Sequence, residues 1–227
     1  MMSKVCAIHQ PNFFPWLGYF YKIAKSDVFV VLDTVDIEVG TADAITNRTR
    51  IKTSSGVQWI TVPIRKGESK LIKDIAIDNA RKWRGTMLKT IYFQYKKSRN
   101  FEQFYPVVEA LVNYNTDSLS EFNVNIIREM CKYMGVSAEI VLASDMESVS
   151  SDRNQRLIDI CKKNGCDTYL SGNGGRKYHD EQLFADNGIT VKYTDFVHPE
   201  YTQLHGDFVK GLSCIDYCFN DGEKLWK

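Results

Sequence analysis

The chain opens on an apolar run, "KVCAIH", short and without helical period, which predicts a buried strand over Lys4 to Ile8. The period then changes. In "PWLGYFYKIAKS" the apolar residues Leu17, Phe20, Tyr21 and Ala24 recur at helical spacing, with Pro15 tolerated in a first turn. "DVFVVLD" returns to a continuous apolar run, a second buried strand over Val28 to Leu32. Strand, helix and strand within about 30 residues is the pattern of a parallel βαβ unit.

From Asp36 to Ser55 the chain is polar and carries "TNRTRIKTSSG", a loop or short strands with a turn at Ser55-Gly56. "VQWITVPI" predicts a strand from Val57 to Ile64, followed by a basic turn and "LIKDIAI". Beyond Lys82 three helices are expected in succession, the last opened by Ser118 with Glu121 and stopped by Gly135. "AEIVLAS" reads as a strand, "DRNQRLIDICKKNG" as a helix ending at Gly165 and "DTYLS" as a strand. A short helix "DEQLFADNG", a strand "ITVKYT" and a terminal helix near "GLSCIDYCFN" complete the alternation. The expected fold is therefore α/β, with a parallel or mixed sheet taking strands from both ends of the chain. The helices from about 82 to 135 form an insertion or subdomain against it, within one domain spanning 1–227.

Composition narrows the function more than the fold. A formal charge of +1 over 227 residues points to neither nucleic acid nor a membrane surface. No apolar run approaches the roughly 20 residues of a spanning helix, and "MMSKVCAIHQ" lacks the apolar core of a signal peptide. Six cysteines sit inside apolar helical or strand patterns at spacings that match no common zinc signature, so they read as buried thiols in a reducing cytoplasm. No H-E-x-x-H or comparable spacing exists, and no metal is expected.

His9-Gln10 leads the candidates for chemistry. Ligands of parallel sheets bind at the carboxyl ends of the strands, and His9 lies just past the end of the first. A neutral imidazole can take a proton there, and the adjacent amide can donate or accept. A histidine that caps the turn or bonds a backbone carbonyl in the core is the competing reading. "FPWLGY" resembles in position the HxGH signature of the nucleotidylyltransferase superfamily, with Trp16 and Tyr19 at the histidine positions and Gly18 at the glycine. That likeness extends the expectation to a Rossmann-like, nucleotidylyltransferase-like sheet. The missing histidines argue against adenylyl transfer.

Three further stretches carry candidate site residues. "NRTRIK" puts Asn47, Arg48, Arg50 and Lys52 in six residues, enough to clamp a phosphate or carboxylate, or simply to line a solvated edge. "YLSGNGGRKYH" ends a strand at Ser171-Gly172 and follows it with glycines whose N–H groups could face an anion, helped by Arg176 or Lys177. "HPEYTQLHGDF" offers His198 with Glu200, or His205 with Asp207, as a base and its orienter. The segment from Arg81 to Arg99 holds seven Lys or Arg and no acid, a solvated helical face or a dock for an acidic carrier protein.

In order along the chain, "IHQPNFFPWLGYFYKI", "VLDTV" with "NRTRI", "WITVPI", "YLSGNGGRKY" and "HPEYTQLHGDFVKGLSCIDYCFNDG" resemble the WbqC-like family, from residue 8 to 222. The likeness departs at Asp36, where the family usually has glutamine, while Asp33 is retained. Such proteins are typically encoded among genes for O-antigen, capsule and other surface glycans. The resemblance implies a cytoplasmic transferase acting on a nucleotide-linked sugar, with N-acyl or N-aminoacyl (glycyl) transfer to an amino sugar as the first reading. Another nucleotide-sugar transferase and a non-catalytic scaffold of a glycan pathway are the alternatives. The site expected on this reading has His9 and Gln10 as its chemistry. Trp16, Gly18, Asp33, Asn47, Arg48, Ser171, Gly172, Arg176, Tyr178 and His198 would contact substrate. The implied donor is an acyl or aminoacyl thioester, on coenzyme A or on an acyl or peptidyl carrier protein. A second copy of the chain is a further partner the reading admits; nucleic acid and membrane insertion are not expected.

Overall fold

A computed structural model describes residues 3–41 and 44–222. In chain order the elements are β1 (Val5–His9), α1 (Leu17–Ala24), β2 (Val28–Val31), β3 (Arg48–Thr53) and β4 (Gly56–Thr61). They continue with α2 (Trp83–Tyr95), α3 (Phe101–Val112), α4 (Leu119–Met134), β5 (Glu139–Leu142) and α5 (Arg153–Lys163). The last are β6 (Thr168–Ser171), α6 (Glu181–Asp186), β7 (Thr190–Tyr193) and α7 (Cys214–Asn220).

Five strands form one sheet in the order β5-β2-β1-β6-β7, and all four pairings are parallel. Side chains alternate across it. Ala7, Phe29 and Val31 enter a cluster shared with α1, α2, α3, α4 and α7, whereas Cys6, Ile8, Val28 and Val30 enter a second cluster with α5 and α6. Continuous apolar runs in β1 and β2 are what burial on both faces demands. All six cysteines are unbridged and buried. The helices between 83 and 134 thus share one core with the sheet.

From β1 the chain builds outward through β2 to β5, then crosses back to add β6 and β7 on the other side. The reversal falls between β1 and β6, and ligands of such sheets settle in the crevice at that point, past the carboxyl ends of the strands. Ala7 pairs with Leu170, so His9 and the Ser171-Gly172 step emerge together.

Two local expectations need correction. The buried stripe of α1 contains Leu17, Tyr19, Phe20, Lys22 and Ile23. Tyr21 instead turns outward, its hydroxyl donating to Asp195 Oδ1 at 2.5 Å. The polar stretch after residue 47 is a two-stranded antiparallel hairpin of β3 and β4, with its turn at Ser54-Ser55, one residue earlier than expected.

Candidate functional site

The loop from Gln10 to Trp16 is shaped from outside itself. Phe14 adopts φ of 37°, in the left-handed region that costs an L-residue energy. Two hydroxyls fix its carbonyl: Thr49 Oγ1 of β3 at 3.1 Å and Ser213 Oγ at 2.9 Å. Cys214 N–H donates to the Pro15 carbonyl at 2.9 Å. Asn123 Nδ2, on α4, donates to the carbonyls of Pro11 at 2.8 Å and Thr46 at 2.7 Å. Three distant segments therefore hold this loop against the end of β1.

At the switch point lies a cavity of about 650 Å³, lined by His9, Gln10, Lys22, Arg153, Arg156, Ser171, Gly172 and His179, among others. Three cations face one carboxylate, Glu38. None of the three has an ion-pair partner, since the pairs among the described residues are Arg81–Asp78 and Lys132–Glu129. Lys22 is the unusual one. It is 5 % exposed, and its Nζ donates to the Ile8 carbonyl at 2.7 Å. Burial pulls its pKa from 10.5 down to about 8, which corresponds to roughly 3 kcal/mol of charge left uncompensated. A cation in that state is a standing attraction for an anion.

His9 is shifted the same way. Burial, and then the nearby Lys22 charge, lower it from 6.5 to about 3, so the imidazole is neutral at physiological pH. Its Nδ1 lies 3.3 Å from the Gln10 carbonyl; that contact favours the Nδ1–H tautomer and leaves Nε2 as the acceptor. Tyr19 meets the ring edge-on at 4.9 Å between centroids, and its hydroxyl donates to the same Gln10 carbonyl at 3.0 Å. His179, across the cavity, is also lowered, by burial first and then by Arg153 and Lys22. Its buried Nδ1 has no hydrogen-bond partner among the described residues.

The glycine-rich segment forms a tight 3-10 turn over Asn173–Lys177. Gly175 N–H is consumed within it, bonding the Gly172 carbonyl at 2.9 Å. A Cβ on Gly175 would stand 2.3 Å from Ser171 Oγ and 2.4 Å from His179 Cε1, so glycine is what lets the turn close over both. A smaller cavity of about 250 Å³ adjoins, walled by His9, Trp16, Gly18, Lys22, Gly172 and Phe196, among others. Here the reason for Gly18 is visible: its Cβ would lie 2.3 Å from the Trp16 ring.

Of the residues singled out from the sequence, His9, Gln10, Trp16, Gly18, Ser171 and Gly172 line these two adjoining cavities. The others lie elsewhere. Asp33 is buried, taking Ser144 N–H at 3.0 Å, Ser144 Oγ at 2.7 Å and Ser120 Oγ at 3.4 Å. Asn47 Nδ2 donates to the Val62 carbonyl at 3.0 Å within the hairpin connection. Arg48 stacks on Trp59 with its guanidinium carbon 4.1 Å from the ring centroid and donates to the carbonyls of Ala44 and Thr41. Arg176 is exposed over the Tyr193 ring at 3.9 Å, and Tyr178 is exposed beneath Arg153 at 4.5 Å. His198 bonds the Pro199 carbonyl and His205 the Gln94 carbonyl, each at 2.9 Å, so neither is oriented by Glu200 or Asp207. Asp36 is exposed and outside both cavities.

Lys22, Arg153, Arg156 and His179 carry no role in the sequence reading. Lys22 had a detectable signal, a cation on the buried face of an apolar helix. The other three become neighbours only through the β1–β6 junction.

Residues 10–227 match the WbqC-like protein family. The chain is 33 % identical over 225 residues to "Uncharacterized protein Rv1507c" of Mycobacterium tuberculosis (strain ATCC 25618 / H37Rv), an alignment covering 97 % of this chain and 95 % of that one. No solved structure matches. With a family match over nearly the whole sequence and a relative aligned end to end, this chain belongs to the WbqC-like protein family.

Proposed function

We propose that the protein is a cytoplasmic transferase of surface-glycan synthesis that binds an amino-sugar nucleotide at the β1–β6 junction and acylates or aminoacylates the sugar amine. The observation that carries this reading is the buried, unpaired Lys22 beside a neutral His9 in a cavity that also holds Arg153 and Arg156. A diphosphate supplies the anion those cations lack, and the crevice suits the nucleotide of a Rossmann-like sheet. Family membership supports the glycan setting, and buried reduced thiols fit the cytoplasm. Among the described residues no helix is long and apolar enough to cross a membrane.

The reaction balances with a thioester donor. The sugar nitrogen attacks the thioester carbonyl carbon; a C–N bond forms and the C–S bond breaks. The proton released by the attacking amine passes to His9 Nε2 and then to the departing thiolate, giving an amide and a thiol. The Gln10 amide is the oxyanion donor at hand. Burial is the first cause of the lowered His9 pKa and the Lys22 charge the second; a diphosphate bound beside Lys22 offsets that second cause and so makes His9 a better base.

The test pairs binding with turnover. Titration calorimetry with UDP-, dTDP- and CMP-linked amino sugars should identify one ligand, weakened at least about tenfold by Lys22→Met. Mass spectrometry should show an acyl or glycyl adduct formed from the matching thioester, reduced about 100-fold or more by His9→Ala. Full turnover by His9→Ala, or nucleotide binding indifferent to Lys22→Met, would sink the reading.

A further inference from the structure

A third cavity, of about 400 Å³, lies between the Gln10–Trp16 loop and the β3–β4 hairpin. Its walls include the rings of Trp16, Trp59 and Phe13, with Ile45, and among the described residues its one charged side chain is Arg50. Asn12 also lines it. Asn12 is 1 % exposed, and neither its Oδ1 nor its Nδ2 has a hydrogen-bond partner among the described residues. Native proteins pair nearly every buried amide, so an amide with both ends unpaired beside a cavity points to a ligand that brings an acceptor and a donor together. Arg50 donates to the Gly211 carbonyl at 3.1 Å through one nitrogen, leaving its remaining N–H groups for an anion.

Trp16 is shared. It walls this cavity and also the small one that contains His9 and Lys22. On the reading proposed above, the sugar nucleotide occupies the cationic side of His9, so the second substrate must reach His9 from the side of Trp16. We propose that the Asn12 cavity is the donor subsite and takes the phosphopantetheine arm of the thioester. That arm is narrow and largely apolar, carries amides that match Asn12 donor for acceptor, and bears a phosphate at the end away from sulfur that suits Arg50. Its sulfur end then points past Trp16, which is 38 % exposed, toward His9. The inference rests on the transferase reading for its direction, but the subsite is testable alone.

Calorimetry with pantetheine, 4′-phosphopantetheine, coenzyme A, a phosphopantetheine-bearing acidic carrier protein and uridine monophosphate decides it. Phosphopantetheine should bind, and Asn12→Leu should weaken it at least about tenfold while the melting temperature holds or rises, because an unpaired buried amide has been removed. Arg50→Gln, an exposed change, should weaken phosphopantetheine and leave pantetheine unaffected. Coenzyme A binding like the free arm would name a coenzyme A thioester; binding by the loaded carrier protein alone would name that protein as source. Asn12→Leu binding the arm as wild type, or weakening uridine monophosphate instead, would overturn the proposal. Amino-sugar nucleotide titrated against Lys22→Met in the same series separates the two readings. Nucleotide binding that depends on Lys22 without arm binding removes only the donor subsite. Arm binding lost in Asn12→Leu, with nucleotide binding indifferent to Lys22, removes only the acceptor reading.

Discussion

At the scale of single residues, the site is defined by close approach and by charge. Gly18 has no room for a Cβ because the distal atoms of the Trp16 indole lie over it at 2.3–2.6 Å. Those atoms are the far end of a partly exposed side chain, so they can move where backbone could not. Gly18→Ala should therefore swing Trp16 outward rather than unfold α1, costing about 1 kcal/mol or less in urea denaturation. The same variant should change tryptophan emission and weaken any ligand that touches Trp16. A loss of several kcal/mol would mean the indole is locked and the wall rigid. Asp33, Asn47 and Arg48 illustrate the opposite case. Their side chains have the chemistry of a binding site, but hydroxyls, carbonyls and the Trp59 ring have already taken up their donors and acceptors.

At the scale of elements, the periodicity of the chain was a good guide wherever a stop or cap accompanied it. α4 begins at Ser118, whose Oγ accepts Glu121 N–H at 3.2 Å, and ends at Gly135 with φ of 68°. The reciprocal half of the capping box is absent. The Glu121 carboxylate instead takes the Tyr114 and Thr116 hydroxyls at 2.7 and 2.6 Å, and Thr116 Oγ1 serves the Ser118 N–H. Ser118→Ala should cost about 1 kcal/mol of unfolding free energy, measured by denaturant titration. It should leave the His9 cavity intact, since α4 reaches the site through Asn123 in its second turn. The hairpin was harder to read because its polar residues alternate over a strand with one side buried by other segments. Lys52 is 4 % exposed in that strand, with its Nζ donating to Gln203 Oε1 at 3.2 Å and to the Gly206 carbonyl at 2.8 Å. Local pattern alone assigns such a lysine to solvent.

At the scale of the molecule, the two bases whose pKa values the fold lowers tie stability to pH. His9 has a folded value of about 3 against 6.5 unfolded. Between those limits the unfolded chain binds a proton that the folded one refuses, so stability falls as pH drops from 6.5 toward 3, by at most about 1.4 kcal/mol per unit. Lys22, lowered from 10.5 to about 8, acts in the same sense in a second window: stability rises as pH climbs from 8 to 10.5. Buried thiols oppose it there; Cys131, pushed up from 9.0 to about 12, keeps its proton when the unfolded chain has lost it. Urea titrations at pH 4 and 7 should show a smaller difference for His9→Gln than for wild type. Lys22→Met should raise stability at pH 7 by roughly 1–3 kcal/mol, because an unpaired buried charge is replaced by an apolar side chain of similar length. Loss of stability in that variant would mean Lys22 is a structural hydrogen-bond donor first.

The sequence by itself determined the α/β alternation, the first strand leading up to His9, the three helices after Lys82 and the family. Each of these depends on apolar period, caps and contiguous motifs that survive without long-range information. Only the tertiary structure decided which residues share the site. His9 and Lys22 meet within the β1–α1 unit, and Arg153 and His179 join them because β6 returns beside β1. It also decided that His9 is neutral and Lys22 unpaired, since both follow from how much water the fold removes and which carbonyls it supplies. The physical reason is the same throughout: period and propensity act between neighbours in sequence, whereas desolvation and hydrogen-bond partners are set by neighbours in space.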